Sequence, residues 1–355
     1  MKMRLLDFLV CARCQGSLRL DARDRRSDGE VLTGTLACTN CGHHYQVVRG
    51  VPRMVPARLE EEKRETAAAF GWQWQVFTEM HEEYRAQFLD WIEPIQPEFF
   101  RDKVVLDAGC GIGRHAYWAS QFGAKEVIGI DLSAAVETAY RDIGHLPNVH
   151  IVQADIFHLP FRVGAGAPFD FIYSIGVLHH TPDPEGSFRS LVGHLKPGGT
   201  IHAWVYGHEN NAIIHYGIDP VRKTLTARLP YKVLYYLSYL PAALMQAMLK
   251  GVYKPINERA SLRQFSRRLP YNSYFHHLSA FNFRQNHTIV FDHLVAPTAF
   301  YIKRADFEGW FERAGLEAIA LSWRNENSWR GRAVKPRAAV AADARDGHAG
   351  GRVPS

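Results

Sequence analysis

The sequence has few cysteines and no long segment of uninterrupted apolar residues. Only five cysteines occur in 355 residues, and four of them form two C-x-x-C pairs. In a reducing compartment such pairs are better interpreted as metal ligands than as disulfides. The opening MKMRLLDFLVCARC contains an apolar run too short for the core of a secretory signal. We therefore expect a cytoplasmic protein whose paired cysteines bind a metal.

Neither sign of charge dominates strongly. The formal net charge is +6 and the isoelectric point is about 9.0. This modest excess suits an anionic substrate, a nucleic acid or a membrane surface without selecting among them. Apolar residues make up 46% of the chain, enough for one sizeable α/β domain and smaller units, so a fibre or a wholly disordered chain is excluded.

The two cysteine pairs predict a zinc ribbon over residues 1–58. Twenty-three residues separate the pairs, and each pair can present two thiolates to one tetrahedral zinc ion. The segment has short strand-like stretches at 33–37 and 45–48 but too few apolar positions for its own core, which indicates a structural ion. Contact with RNA is an alternative role, although the arginines here are partly offset by aspartates. The predicted zinc ligands are Cys11, Cys14, Cys38 and Cys41; His43 and His44 are spare.

From residue 103 onward, strands alternate with helices as in a parallel sheet. This pattern predicts an α/β fold with a doubly wound, mostly parallel, seven-stranded Rossmann-like sheet. Helices are expected to end at Gly123, to begin at Ser133, and to bury Phe188 and Phe307 on their inner faces. The predicted strands are 104–106, 127–130, 149–153, 169–173, 201–205 and, after an interruption, 316–323.

The segment VVLDAGCGIGRH contains a glycine-rich loop between the first of these strands and a helix. Glycines allow positive φ and let a ligand lie against the backbone at the carboxyl edge of the sheet. The loop also fits a variant dinucleotide fingerprint, so it is a weak signal alone. Asp107 distinguishes a dinucleotide from S-adenosylmethionine (SAM). A carboxylate at this position would repel a pyrophosphate but suit the ammonium and sulfonium groups of SAM.

Two further acidic residues follow the next two predicted strands. Asp131 is placed to accept hydrogen bonds from a ribose diol, and Asp155 could accept one from an adenine amino group. Each taken alone could instead cap a helix or close a turn. Three acidic residues at consecutive strand ends behind a glycine loop favour a SAM site.

These motifs resemble the class I SAM-dependent methyltransferases, especially the quinone-biosynthesis type. The resemblance covers roughly residues 100–206 and 301–325 and includes LDAGCGIGRH, VIGIDLS, VQADIFHLPF, FDFIYSIGVLHHTPDP and LKPGG. The sequence around the cysteines is similar to that of the small zinc-ribbon proteins that activate methyltransferases as a separate subunit. The resemblance implies a SAM site formed by Asp107, Gly109, Gly111 and Gly113 at the methionine, Asp131 and Leu132 at the ribose, Asp155 and Ile156 at the adenine, and Ser174.

The segment SIGVLHHTPDP lies where the resemblance places the methyl acceptor. His179 and His180 are therefore candidates for orienting or deprotonating a substrate, although packing against the sheet or capping a helix is an alternative for each. The segment lacks the Asn/Asp-Pro-Pro-Tyr motif of base and glutamine N-methyltransferases. It also lacks a cysteine for covalent attack on a pyrimidine, so both of those classes are disfavoured.

Two segments flank the core and could cover its site. Residues 59–102 predict a helical cap in which Phe70, Trp72, Trp74 and Phe77 either close over the cofactor or pack in a core. Residues 207–300 predict an α-rich lid. Within it, 219–268 holds ten basic and two acidic residues, and 233–249 is uncharged. That run suits peripheral membrane contact or a buried lid helix. The segment 271–283 gathers aromatics and histidines that suit a bulky acceptor.

The sequence as a whole predicts a SAM-dependent methyltransferase that acts at oxygen or carbon of a small or lipid-like metabolite. An RNA methyltransferase guided by its zinc ribbon is the first alternative, with nucleic acid not favoured, and a non-catalytic SAM-binding regulatory subunit is the second. The sequence does not indicate an oligomeric state. The predicted units are 1–58 (zinc ribbon), 59–102 (cap), 103–206 with 301–334 (core), 207–300 (lid) and 335–355 (disordered tail).

Overall fold

The computed structural model describes residues 1–337 except 57, 81, 213, 227 and 228. Most of the predicted tail, from residue 338, therefore lies outside the described residues. Eleven strands form one sheet in the order β1-β2-β3-β4-β7-β6-β5-β8-β9-β11-β10. The strands are β1 (Leu18–Arg25), β2 (Val31–Cys38), β3 (His44–Val48), β4 (Val51–Met54), β5 (Val104–Ala108), β6 (Glu126–Asp131), β7 (Val149–Ala154), β8 (Phe169–Ile175), β9 (Leu195–Tyr206), β10 (Glu317–Arg324) and β11 (Ser328–Val334).

The seven strands from β7 to β10 confirm the predicted α/β sheet. Strands β7, β6, β5, β8 and β9 are parallel, and β11 joins the edge of β9 in antiparallel register. Strand β5 is buried along its whole length, as expected for a central strand covered on both faces. The structure differs in the number of strands, because the four strands of the ribbon extend the same sheet.

Twelve α-helices accompany the sheet in the described part of the chain. Helix α3 begins directly after Gly113 in the sequence. Helix α4 follows Ser133, whose hydroxyl accepts a hydrogen bond from the Ala135 amide. The helices are α1 (Glu61–Val76), α2 (Glu83–Trp91), α3 (Arg114–Gln121), α4 (Ala135–Ile143), α5 (Pro184–Gly193), α6 (Asp219–Thr224), α7 (Tyr231–Leu237), α8 (Tyr239–Met248), α9 (Lys254–Glu258), α10 (Asn272–Leu278), α11 (Phe283–Val295) and α12 (Arg304–Arg313).

The ribbon strands join the catalytic sheet through β4. This strand pairs in parallel with β7, with Met54 opposite Ala154. Met1, Leu36 and Met54 are buried in the same apolar cluster as Ile130 of β6. Polar contacts strengthen the junction, since the Tyr140 hydroxyl donates to Glu30 at 2.6 Å. The ribbon, which the sequence indicated was too small for its own core, shares the core of the large domain.

The lid consists mainly of helices α6 to α11. The uncharged run at 233–249 is divided between α7 and α8 at Ser238, whose hydroxyl bonds to the Tyr235 carbonyl and to His287. Among the described residues, no helix is both long and apolar enough to cross a membrane. Helices α7 and α11 pack Leu234 and Phe291 against Ala69 and Phe77 of the cap, so the lid rests on α1.

Candidate functional site

The glycine loop after β5 has the backbone that its sequence requires. Gly109, Gly111 and Gly113 have φ values of 89°, 54° and 83°, a region that favours glycine. A Cβ atom on Gly109 would overlap the side chain of Val177, so this position also lacks space for a side chain. Gly109 and Gly111 line a cavity at the carboxyl edge of the sheet, where a ligand can approach the backbone.

Asp131, at the end of β6, braces this loop. Its Oδ2 accepts a hydrogen bond from the Gly111 amide at 3.0 Å, and its Oδ1 accepts from the amide and hydroxyl of Ser133 at 2.8 and 2.6 Å. Asp131 and the neighbouring Leu132 both line the cavity. Three donors leave a carboxylate with spare lone pairs, so Asp131 can hold the loop and still accept from a ligand hydroxyl.

Asp155, after β7, lines the same cavity and pairs with a lysine from the cap. Lys63 Nζ lies 3.2 Å from Asp155 Oδ2 and 4.2 Å from the centre of the Phe157 ring. Asp155 Oδ1 accepts a hydrogen bond from the Phe157 amide at 3.0 Å. Ile156 lies beside them on the cavity wall. The structure therefore brings the predicted ribose and adenine residues to one cavity.

Asp107 and Ser174 lie behind the loop rather than on the cavity wall. Asp107 is 1% exposed, and its Oδ2 has no hydrogen-bond partner within the described ranges. Burial raises the pKa of Asp107 to about 7, with the nearby Tyr173 hydroxyl acting in the opposite direction. The Ser174 hydroxyl donates to the Ala108 carbonyl at 2.9 Å. These residues support the loop from below, as does Gly113, and their direct contact with a cofactor stays a prediction.

The two candidate histidines lie in different environments. His180 lines the cavity, and its Nδ1 donates to the Thr298 carbonyl at 2.7 Å, so Nε2 is the unprotonated nitrogen. Burial lowers the pKa of His180, which keeps the ring neutral. His179 is fully buried, and burial lowers its pKa strongly; its ring lies 4.1 Å from that of Tyr206. The geometry favours His180 for a role at the acceptor and a packing role for His179.

One cavity of about 370 Å³ joins the cofactor loop to the lid. The lid side is lined by Tyr271, Tyr274, Phe275 and His277. Several lining side chains in the described part of the chain carry a buried polar atom without a hydrogen-bond partner, which indicates that the cavity is built for a polar ligand. Among them are Gln73, Gln87, Trp91, Trp204 and Asn327.

Some lining residues of the cap and lid were not predicted from the sequence. Lys63 and Thr66 of α1 face the cavity together with Phe70 and Trp74, which were predicted as candidates to close over the cofactor, whereas Trp72 packs on the lid helices. Their spacing of three and four residues is the signal that could have found them, because such positions share one face of a helix. Asp292 of α11 also lines the cavity, and no local motif marks it.

The four ribbon cysteines form a metal-binding cluster. All four sulfur atoms lie within 4.8 Å of one another, with Cys11 and Cys41 3.7 Å apart and Cys14 and Cys38 3.5 Å apart. Sulfurs bound tetrahedrally to zinc at about 2.3 Å are roughly 3.8 Å apart, so the geometry fits one zinc ion. The Cys41 amide and the Asn40 side chain direct N–H groups at these sulfurs. The predicted ligand set is therefore brought together.

Two family models match the chain, in agreement with this geometry. Residues 106–203 match a methyltransferase domain, and residues 2–50 match the Trm112p-like proteins. The chain thus contains a domain of the α/β, SAM-dependent methyltransferase class. In particular, it carries an amino-terminal Trm112-like zinc-ribbon domain in the same chain. The predicted resemblance, fold class and cofactors are confirmed.

Curated relatives match parts of the chain. A tRNA U34 carboxymethyltransferase of Pseudoalteromonas translucida is 28% identical over 196 residues, which are 52% of this chain and 55% of that protein. One from Aliarcobacter butzleri is 36% identical over 110 residues, 30% of this chain and 35% of that protein. The chain spans about half or less of the length of these relatives. A solved complex of the Haloferax volcanii Trm112 activator and a methyltransferase is 14% identical, covers 79% of this chain and 100% of that chain, and has a TM-score of 0.44.

These relatives correct one prediction from the sequence. A small or lipid-like metabolite was expected as the acceptor, with nucleic acid not favoured and membrane contact through 233–249. The relatives are named for tRNA, a nucleic acid, so that expectation is wrong. The physical reason for the error is that aromatic residues and an uncharged helix suit a planar base as well as a lipid, and composition does not distinguish them.

Proposed function

We propose that this protein is a SAM-dependent methyltransferase that modifies RNA, with tRNA as its substrate class. The observation that carries the proposal is the cavity that runs from the glycine loop to the aromatic wall of α10. Such a cavity suits a nucleobase turned out of its stack toward the sulfonium. The relatives named as tRNA U34 carboxymethyltransferases support the same substrate class.

A basic segment adjoins the aromatic wall and suits an RNA backbone. Residues 250–268 contain six lysines and arginines and one glutamate. Arg259, Arg263, Arg267 and Arg268 are all exposed, and the chain then turns directly into α10. Contacts from such residues to phosphates would position an RNA without reading its sequence.

In this proposal the cofactor lies along the carboxyl edge of the sheet. Gly109, Gly111 and, beneath the loop, Asp107 take the methionine end, whereas Asp131 and Leu132 take the ribose. Asp155 and Ile156 take the adenine, and Gly113 and Ser174 hold the loop in place. SAM supplies an electrophilic carbon when it is bound, so the chain itself mainly aligns the acceptor and excludes water.

His180 is the residue of this chain proposed to handle the proton of the acceptor. Its ring is neutral and hydrogen-bonded through Nδ1, so Nε2 can receive a proton or orient an acceptor group. His179, packed behind it, would fix the position of the His180 ring, whose centre is 4.3 Å away. The four cysteine thiols suit a structural zinc ion. Cysteines that remain reduced suit a cytoplasmic compartment.

Incubation with methyl-labelled SAM tests the proposal. Purified protein is mixed with total tRNA, with ribosomal RNA or with the small-molecule and lipid fractions of a cell extract. We expect label in tRNA, with the methylated nucleoside identified by mass spectrometry. Asp131→Ala should abolish transfer. Label in the lipid fraction alone, or tight SAM binding with no transfer to any fraction, would contradict the proposal.

A further inference from the structure

A carboxylate from the lid lies where three separate units of the chain meet. Asp292 Oδ1 accepts a hydrogen bond from Gln73 Nε2 of the cap at 3.1 Å, and Oδ2 accepts one from the Tyr206 hydroxyl of β9 at 3.2 Å. All three residues line the cavity. Two donors use only part of the acceptor capacity of an ionised carboxylate, so Asp292 can still accept from a ligand.

The hydroxyl that holds Asp292 is itself fixed in place. The Tyr206 ring stacks with His293 at 5.8 Å between centroids and with Tyr301 at 5.9 Å, at interplanar angles of 27° and 18°. A ring held by stacked neighbours presents its hydroxyl in one direction. The carboxylate of Asp292 is therefore preorganised before any ligand arrives.

A second acceptor lies beside this carboxylate without a partner. Gln73 is 0% exposed, and while its Nε2 donates to Asp292, its Oε1 has no hydrogen-bond partner within the described residues. A buried polar atom without a hydrogen-bond partner is unfavourable, so its place on a cavity wall points to a ligand that donates to it. The site therefore offers two neighbouring acceptors to an incoming N–H group.

Aromatic rings form the other wall of this part of the cavity. Tyr274 and Phe275 of α10 have their ring centres 5.5 Å apart, and both line the cavity. Asp292 and Tyr274 are close enough to interact electrostatically. The two ring planes are tilted by 44°, so a planar heterocycle can stack on one ring at a time. An aromatic face next to hydrogen-bond acceptors suits such a heterocycle when it carries N–H groups, because the face stacks on the ring of the base while the acceptors contact its edge.

We infer that Asp292, supported by Gln73 and Tyr206, is the specificity-determining acceptor of a nucleobase subsite beneath α10 and α11. The base stacks on the aromatic wall and donates an N–H of its Watson–Crick edge to the Asp292 carboxylate. This inference rests on the proposed function and adds to it the means by which the acceptor base is held. His180 lines the same cavity, and its ring centre lies 5.8 Å from that of Tyr206, so the residue proposed to handle the acceptor proton lies near the recognition residues.

The test compares Asp292→Asn with two other variants. The amide keeps the size of the side chain but replaces one carboxylate oxygen with an NH2 group. This group cannot accept a hydrogen bond from the N–H of the base. We expect kcat/KM for tRNA to fall about 100-fold, with the Kd for SAM within twofold of the original protein. Asp306→Asn, the same change on an exposed position of α12, should leave both values unchanged. Tyr206→Phe keeps the carboxylate and should lose less than tenfold.

A binding measurement keeps this inference separate from the proposed function. Uridine is titrated by ligand-observed NMR into protein loaded with S-adenosylhomocysteine, which needs no methyl transfer. We expect saturation transfer to uridine with the original protein and a marked loss with Asp292→Asn. The inference would be overturned if no saturation transfer to uridine were seen, or if Asp292→Asn and Tyr206→Phe reduced binding and kcat/KM equally. Asp292 would then only hold the lid against the core. If uridine binds while tRNA receives no label, the proposed function fails but the subsite stands.

Discussion

Two carboxylates on either side of the glycine loop lie in opposite electrostatic environments. Asp131 is braced by three hydrogen-bond donors and faces the cavity. Asp107 is buried behind the loop, and burial raises its pKa to about 7. From the sequence, both residues are predicted to contact SAM directly. Their difference in depth was not predictable from a local motif, because it is decided by the packing of β5 between its neighbours.

The raised pKa of Asp107 predicts a pH dependence of stability. An Asp in the unfolded chain has a pKa of about 3.9, so between pH 4 and 7 the folded state retains a proton that the unfolded state has released. Stability then falls as pH rises through this range. Asp107→Asn cannot ionise, so we expect its free energy of unfolding, relative to the original protein, to increase from pH 4 to pH 8, by on the order of 1–4 kcal/mol.

Urea unfolding at intervals between pH 4 and pH 8, without cofactor, measures this difference. Asp306→Asn serves as the control, because that side chain is exposed and its replacement should give a pH profile parallel to that of the original protein. A constant offset between Asp107→Asn and the original protein across the whole range would show that the buried carboxyl does not titrate as described.

At the level of elements, the aromatic residues of helix α1 have two roles: some line the cavity and others pack against the lid. Trp74 lines the cavity, and its Nε1 lies 3.4 Å from where a Cβ of Gly111 would stand. The Arg114 guanidinium lies 5.3 Å from the centre of the same ring. Trp72, two residues earlier, packs on Tyr231 and Phe291 of the lid. Both alternatives weighed from the sequence, closure over the cofactor and packing in a core, are therefore present on one helix.

This division predicts different effects for two tryptophan substitutions. Trp74→Ala should expose the glycine loop to solvent and weaken SAM binding about tenfold, because the apolar side chain that covers the loop is removed. Trp72→Ala should instead lower the melting temperature by creating a cavity between α1 and the lid, with a smaller effect on SAM affinity. Calorimetric titration and thermal unfolding of both variants separate the effects. Equal weakening of SAM binding in the two variants would contradict the assignment.

The elements differ in how well the sequence predicts them. The parallel strands were predictable because strands buried on both faces have short continuous apolar runs, as in the first three residues of β5, VVL. The lid was predicted only as a helical insertion, since α11 lies far from β9 in the chain and the Asp292–Tyr206 contact depends on tertiary packing. Strand β4 was missed because four residues, one of them proline, give too short a pattern.

At the scale of the whole molecule, the ribbon and the methyltransferase domain share one sheet and one apolar cluster. Strand β4 continues the large sheet, and Met1, Leu36 and Met54 are buried in a cluster shared with Ile130 and Phe161. A metal that holds the ribbon should therefore stabilise the catalytic domain as well, because loss of one part exposes apolar surface of the other. The sequence predicted that residues 1–58 depend on zinc, but it did not indicate this coupling.

The placement of the tryptophans allows the coupling to be measured. All eight tryptophans lie beyond residue 58, so tryptophan fluorescence reports on the cap and the methyltransferase domain and not on the ribbon. We expect Cys38→Ser to lose zinc, measured by atomic emission, and to lower the melting temperature reported by tryptophan fluorescence by several degrees, since unbalanced thiolates and a loosened knuckle weaken the shared core. Cys110→Ser, which changes the cysteine outside the cluster, should keep its zinc. An unchanged tryptophan transition in zinc-free Cys38→Ser would mean that the ribbon unfolds independently, and the continuous sheet would then have no energetic consequence for the catalytic site.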